Sequence, residues 1–200
     1  MIYAHFGKRL LDLTVTFPVM VILAPFLMII GILIRLGSPG QALFLQPRLG
    51  QNGRIFTTYK FRTMTAVPRV PDHEVIGRTS EVTRIGYWLR RFKLDELPQL
   101  WNVIIGNMSL VGPRPALPEQ LEQYDEIGRK RLEVRPGLTG LAQVSGNIHL
   151  TWQERWSYDV RYVEQLSLFL DFRIILKTIL VVLLGEKRFL QPPLHDKDRE

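Results

Sequence analysis

The sequence predicts an α+β fold that is mostly helical and embedded in a membrane at its N-terminal end. Three observations carry this reading. Val15 to Ile34, VTFPVMVILAPFLMIIGILI, is uncharged throughout and has roughly the twenty residues that cross a bilayer core. The runs ALFLQPR and RIFTTYKFRTM flank Leu49-Gly50-Gln51-Asn52-Gly53, and Asn-Gly between such runs predicts a β-hairpin. Leu94, Leu97, Leu100, Trp101 and Ile104 recur at helical spacing.

Composition sets outer bounds. The chain has 200 residues, enough for one domain with a core and too few for two large ones. Its 26 Lys and Arg against 19 Asp and Glu leave 26 − 19 = 7 positive charges. A basic surface implies an acidic partner, whether nucleic acid, anionic lipid or phosphorylated small molecule. There is no cysteine, which excludes disulfides and thiolate zinc sites.

The apolar run is too long for a signal peptide, and no small-x-small cleavage site follows Ile34. A core helix of a soluble domain would keep one polar face. Lys8 and Arg9 precede the run, and Arg35, Arg48, Arg54, Lys60 and Arg62 follow it. Positive charge at both ends conflicts with a simple span, because both ends then prefer the cytoplasm. Pro25, after Ala24, removes a helical hydrogen bond near the middle and favours a bend. The carbonyl freed near Val21 needs another partner, since lipid offers none. A hairpin that returns to the same face satisfies both observations; a kinked transmembrane anchor is the alternative.

Gly37-Ser38-Pro39-Gly40 reads as a turn, followed by the hairpin. Ala66 to Glu81 is expected to be a surface loop, and Arg84 to Arg91 a short basic helix. Asp95 to Ile105 is expected to be a helix ended by Gly106-Asn107. Two proline-rich corners, Val111–Pro118 (VGPRPALP) and Val134–Gly140 (VRPGLTG), bracket an expected charged helix from Glu119 to Glu133. Gln153 to Leu166 reads as a further helix. Leu166 to Leu184 is apolar but carries Asp171, Arg173 and Lys177. That pattern suits a helix lying in the membrane interface with basic side chains at headgroup level, or an amphipathic core helix. The polar residues after Gly185 are expected to be a disordered tail.

Chemistry concentrates at Arg90-Arg91-Phe92-Lys93-Leu94-Asp95-Glu96-Leu97-Pro98. Pro98 is tolerated only in the first helical turn, where its missing N–H would have had no partner. Asp95 and Glu96 therefore belong at the helix N-terminus, where the macrodipole stabilises anions. Capping alone explains such a pair, but the neighbours argue for more. Arg90 and Arg91 precede it by about one turn. Arg114 is braced in Gly112-Pro113-Arg114-Pro115, which suits bidentate binding of phosphate. Lys60 and Arg62 alternate with Tyr59 and Phe61 on an expected strand, so both can point to one face. A carboxylate pair among cations matches a site for an Mg²⁺-bound diphosphate, because Mg²⁺ takes oxygen ligands and needs only one or two protein carboxylates.

LDELPQLWNVIIGNMSLVGPRP, with YKFRTM upstream and VRPGLTGLAQVSGN downstream, resembles the bacterial sugar transferase family, the monotopic phosphoglycosyl transferases. The resemblance runs from about Phe6 to about Leu184 and is to the family's minimal catalytic unit. It implies transfer of a sugar-1-phosphate from a UDP-sugar to undecaprenyl phosphate, with release of UMP, by a ping-pong route. In that pattern Asp95 attacks the β-phosphate, holds the phosphosugar covalently and coordinates Mg²⁺. Glu96 assists proton handling or positions the acceptor, Arg90 orients the pair, and Lys60 and Arg114 hold phosphate oxygens, with Arg62 also assigned to phosphate.

The resemblance further implies a re-entrant membrane helix-hairpin over 1–36 and a cytoplasmic catalytic domain over 37–185. An interfacial helix near 166–184 and a polar tail over 186–200 complete the expected organisation. The implied location is the cytoplasmic face of the bacterial inner membrane, on an anionic lipid bilayer. Downstream glycosyltransferases are implied partners in assembling O-antigen, capsule, exopolysaccharide or glycoprotein glycans. Two departures matter. The serine that precedes the helix-breaking proline in the family is Ala24 here, so its side-chain hydrogen bond is missing. After Val144-Ser145-Gly146, where some members carry arginine, this chain has Asn147. A non-catalytic membrane adaptor would leave the acidic pair and Arg114 unexplained. A nucleic-acid binder has only the positive charge in its favour, with no recognition-helix or zinc-finger pattern.

Overall fold

A computed structural model of the chain describes residues 3–65 and 81–185. The loop expected from Ala66 and the tail expected after Gly185 lie outside the described residues. A π-helical turn, Tyr3–Gly7, leads into α1, Lys8–Gly37. α1 stays helical through Pro18 and Pro25, and its 30 residues give a length of roughly 45 Å. Ala24 and Pro25 thus sit inside one helix rather than in a loop between two.

α1 is long and apolar enough to cross a membrane, with a mean hydropathy of 2.8 in its most apolar window. Its middle is largely uncovered: Phe17, Val21, Ile22, Phe26, Met28 and Ile29 are exposed. Its two ends are not. Near the start, Lys8 pairs with Asp171 at 2.7 Å, and Arg9 donates to the carbonyls of Val103 and Ile104. Asp12 accepts from the Ser109 hydroxyl and the Leu110 amide. Near the end, Ile30 and Ile34 pack with Phe61 and Leu89 in one apolar cluster.

The hairpin forms as expected, with β1 (Leu43–Leu49) antiparallel to β2 (Ile55–Phe61). Asn52 and Gly53 adopt positive φ at the connection, 56° and 73°. α2, Arg84–Arg91, is capped by the Thr83 hydroxyl, which accepts from the Gly86 amide. The helix expected over Asp95–Ile105 is in two pieces, a 3-10 segment Leu94–Gln99 followed by α3, Leu100–Ile104.

A second, parallel sheet pairs β3 (Ser109–Val111) with β4 (Gly137–Thr139), joining the two proline-rich corners. Glycine permits that approach: a Cβ on Gly137 would lie 2.1 Å from the Gly112 nitrogen. The single helix expected from Glu119 to Glu133 is broken into 3-10 turns, Pro118–Gln123 and Lys130–Leu132, around α4, Glu126–Arg129. The break follows from Tyr124, which is extended, and from Asp125, whose carboxylate accepts from the Gly128 amide at 2.6 Å and restarts the helix.

α5 (Leu141–Ser145), α6 (Trp152–Glu164) and α7 (Leu168–Leu184) complete the fold. α6 carries a full capping box, with Thr151 and Glu154 satisfying each other's backbone amides. Val111, Val144, Tyr162, Ile174 and Val181 form the main core between β3 and these helices. Of the three charges on α7, the acidic one, Asp171, is fully buried. It accepts from Tyr3, Lys8 and Tyr162, tying the start of α1 to the core. Phe169, Phe172, Leu176, Ile179 and Leu183 on the same helix remain exposed.

Candidate active site

The site is built where three short elements meet. β2 presents Lys60, the 3-10 segment after α2 presents Asp95 and Glu96, and the loop after β3 presents Arg114. A left-handed Lys93, φ 56°, turns the chain from α2 into the acidic pair. Asn102 of α3 is completely buried. Its side-chain amide donates to the Thr57 carbonyl at 2.7 Å and accepts from the Tyr59 amide at 3.2 Å. It thereby occupies the free edge of β2 as a third strand would, and fixes the acidic segment beside Lys60. Nothing in the sequence marks Asn102 except polarity in an apolar helix.

Glu96 lies between two cations. The Lys60 ammonium and the Arg114 guanidinium each donate to its Oε1 at 2.8 Å. Burial alone would raise the Glu96 carboxyl, but Arg114 and Lys60 outweigh it and hold the group far below the usual carboxylate range. Lys60 is pushed below the ordinary lysine value by burial, against the attraction of Glu96. Asp95 is the opposite case. Burial, then the neighbouring Glu96 charge, push its carboxyl up, and Lys60 and Arg90 pull it partly back. Two adjacent carboxylates therefore have different surroundings: Glu96 is neutralised by fixed cations, while Asp95 is in no ion pair among the described residues.

Arg90 is braced against Thr63 and Met64, with Nε donating to the Thr63 hydroxyl at 2.9 Å. Its charge still reaches Asp95. Arg62 is not part of the cluster. β2 ends at Phe61, and the Arg62 guanidinium donates to the carbonyls of Pro39 and Ser38 at 2.6 and 2.7 Å, closing the turn after α1. The Arg62 amide still continues the ladder onto the Ala42 carbonyl at 2.8 Å, but its guanidinium is engaged by the turn, and Arg62 serves the fold at that point.

Arg114 stands on a loop held through its acceptors. Pro113 and Pro115 have no N–H to offer, and four successive carbonyls are engaged instead. Pro113 accepts from the Gly137 amide and Ala116 from the Leu49 amide, each at 2.9 Å. Arg114 accepts from Arg131 at 2.9 Å and Pro115 from Arg48 at 3.1 Å. Asn147 adopts a left-handed conformation, φ 48°, next to Gly146 at the end of α5.

The donors present fit an Mg²⁺ that brings its own waters and phosphate ligands. Among the described residues no three His, Asp or Glu converge as a protein cage. The carboxylate next to the cationic pair is a single open one, and one carboxylate with substrate phosphates is a usual Mg²⁺ set.

The sequence pattern described as bacterial sugar transferase matches residues 3–185, and the chain belongs to that family. It is 39% identical over 179 residues to EpsL of Bacillus subtilis, an uncharacterized sugar transferase, covering 90% of this chain and 88% of EpsL. It is 41% identical over 191 residues to the undecaprenyl-phosphate glucose phosphotransferase of Komagataeibacter xylinus, covering 86% of this chain and 35% of that protein. It is 38% identical over 183 residues to the UDP-glucose:undecaprenyl-phosphate glucose-1-phosphate transferase of Klebsiella pneumoniae, covering 86% and 39%. The chain thus spans most of the small relative's length and little more than a third of the larger ones.

Proposed function

We propose that this protein transfers a sugar-1-phosphate from a UDP-sugar to undecaprenyl phosphate, with Asp95 as the nucleophile. The observation that carries the proposal is the division of labour between the two carboxylates, one locked between Lys60 and Arg114 and the other open beside them. The names of the Komagataeibacter and Klebsiella relatives support the substrate class.

In the first step an Asp95 carboxylate oxygen bonds to the β-phosphorus. The bond from that phosphorus to the bridging oxygen breaks, and UMP leaves with the electron pair. In the second step an oxygen of the lipid phosphate bonds to the same phosphorus, the aspartyl oxygen–phosphorus bond breaks, and the carboxylate is restored. Neither step requires a proton, because both attacking groups are already anionic. Glu96, held ionised, suits a positioning role better than proton handling: it keeps Lys60 and Arg114 aligned for phosphate oxygens. Mg²⁺, held by Asp95 and the diphosphate, would supply charge neutralisation. Arg90 stabilises the ionised form of Asp95. The covalent step divides one difficult transfer into two.

The placement of α1 supports a re-entrant helix. Its first turns and its last turns both pack on the same domain while its middle is bare, so both ends lie on one side if the middle enters lipid. The catalytic domain then sits on the cytoplasmic face, where the flanking cations belong. Exposed apolar side chains on α7 would rest at the same interface.

The test is UMP release by purified protein with Mg²⁺, undecaprenyl phosphate and a panel of UDP-sugars. One or more donors should give UMP, and Asp95→Asn should abolish it. Release undiminished in Asp95→Asn would reject Asp95 as nucleophile.

A further inference from the structure

We infer that Arg131, itself held by Asp159 of α6, is the positioning residue that fixes Arg114 for the donor's phosphates. The inference rests on the phosphate role proposed above for Arg114. Arg131 and Asp159 lie outside the acidic and basic cluster, and both are buried, 6% and 1% exposed. One Arg131 nitrogen, Nη2, donates both to Asp159 Oδ2 at 2.6 Å and to the Arg114 carbonyl at 2.9 Å. The other, Nη1, donates to the Tyr124 hydroxyl. The guanidinium also stacks over the Tyr124 ring at 5.3 Å, and that ring is wedged edge-on against Trp156 of α6.

The surroundings are apolar: Leu49, Ala116 and Tyr124 form a cluster there with Leu121, Leu132 and Trp156 against it. A buried ion pair in such a place adds little stability over apolar packing, so geometry is what it contributes. Of the four carbonyls that pin the 113–116 loop, the one at Arg114 itself is held by this buried side chain. Arg114 reaches out from that point to Glu96, its side chain 46% exposed. A half-exposed arginine presents its fork in a fixed direction only if its backbone cannot pivot. Lysine cannot replace Arg131, because a single ammonium lacks the planar fork that serves Asp159, Tyr124 and the carbonyl together.

The experiment measures the donor KM of Arg131→Lys, Asp159→Asn and Arg114→Ala, with the UDP-sugar that gives the fastest UMP release in the panel above, and repeats Arg131→Lys in the Arg114→Ala background. KM does not depend on the fraction of enzyme that has folded, so destabilisation alone lowers the maximal rate and leaves KM in place. Arg131→Lys and Asp159→Asn should each raise donor KM roughly tenfold, the scale of one charge-assisted hydrogen bond. In the Arg114→Ala background Arg131→Lys should add nothing further, since its target is gone. An unmoved KM in both single variants, with Arg114→Ala elevated, overturns the positioning role, as does an equal Arg131→Lys effect in both backgrounds. An unmoved KM in Arg114→Ala itself identifies failure of the phosphate reading on which the role depends.

Discussion

At the scale of single residues, the proposed chemistry depends on two neighbouring carboxylates in unlike surroundings. Asp95 has a raised carboxyl, so the folded state holds its proton more tightly than the unfolded chain does. Its contribution to stability is fully present below the unfolded value of about 3.9 and is lost as pH rises through the higher folded value. At neutral pH the ionised Asp95 is thus a cost to the fold, and Asp95→Asn should raise Tm while abolishing UMP release. Because Asp95 as the proposed nucleophile must be ionised, the acid limb of the rate profile should lie above the ordinary aspartate range. Glu96→Gln removes the like charge that helps raise Asp95, so that limb should move to lower pH as the rate falls. If Glu96 were the proton-transferring base, the acid limb would vanish instead, which a pH–rate series distinguishes.

At the scale of elements, the short helix α3 is clamped from two directions, by Asn102 on the β2 edge and by Arg9 on its last carbonyls. A cation at a helix C-terminus opposes the dipole favourably, so the first turn of α1 helps hold the acidic segment in place. Asn102→Leu should leave the Tyr59 amide and the Thr57 carbonyl without their partner, cost about 1–3 kcal/mol and depress activity. A thermal melt alongside the UMP assay checks both. The hairpin, α2, α6 and α7 were legible because each is long enough to display its period or carries a turn signal such as Asn52-Gly53. β3 and β4 were not, since three residues cannot show an alternation. The 119–133 stretch reads as one charged helix because nothing in its periodicity reveals that Asp125 will accept from Gly128 and start a new turn. Arg62 was read with Lys60 from alternation, which does not show that the Pro39 and Ser38 carbonyls engage its guanidinium. Asp95, Glu96, Arg90 and Arg114 stood out as candidates because acids and cations crowd the stretches marked by Pro98, Pro113 and Pro115, and Lys60 stood out by alternation on the expected strand. Of the tertiary partners, Asn102 is marked only by its polarity in an apolar helix, and Arg131 carries no local signal.

At the scale of the whole molecule, a bare apolar helix is tied at both ends to one folded domain. Single cysteines are clean probes in a chain that has none. Phe6→Cys and Asn52→Cys should both react only from the cytoplasmic side if α1 is re-entrant, and opposite-side labelling would establish a spanning helix. Pro25→Leu restores a backbone hydrogen bond and should shift labelling of Phe6→Cys towards the far side, the more readily because Ala24 offers no side-chain hydrogen bond to the bend. In the proposed function this placement would bring a water-soluble donor and a lipid-borne acceptor to one carboxylate at headgroup depth. The most direct measurement withholds the acceptor: enzyme incubated with Mg²⁺ and a UDP-sugar labelled in the β-phosphate should retain label on Asp95 after denaturation and peptide mapping. Enzyme that turns over with acceptor present, yet carries no label at Asp95 without it, would contradict the account.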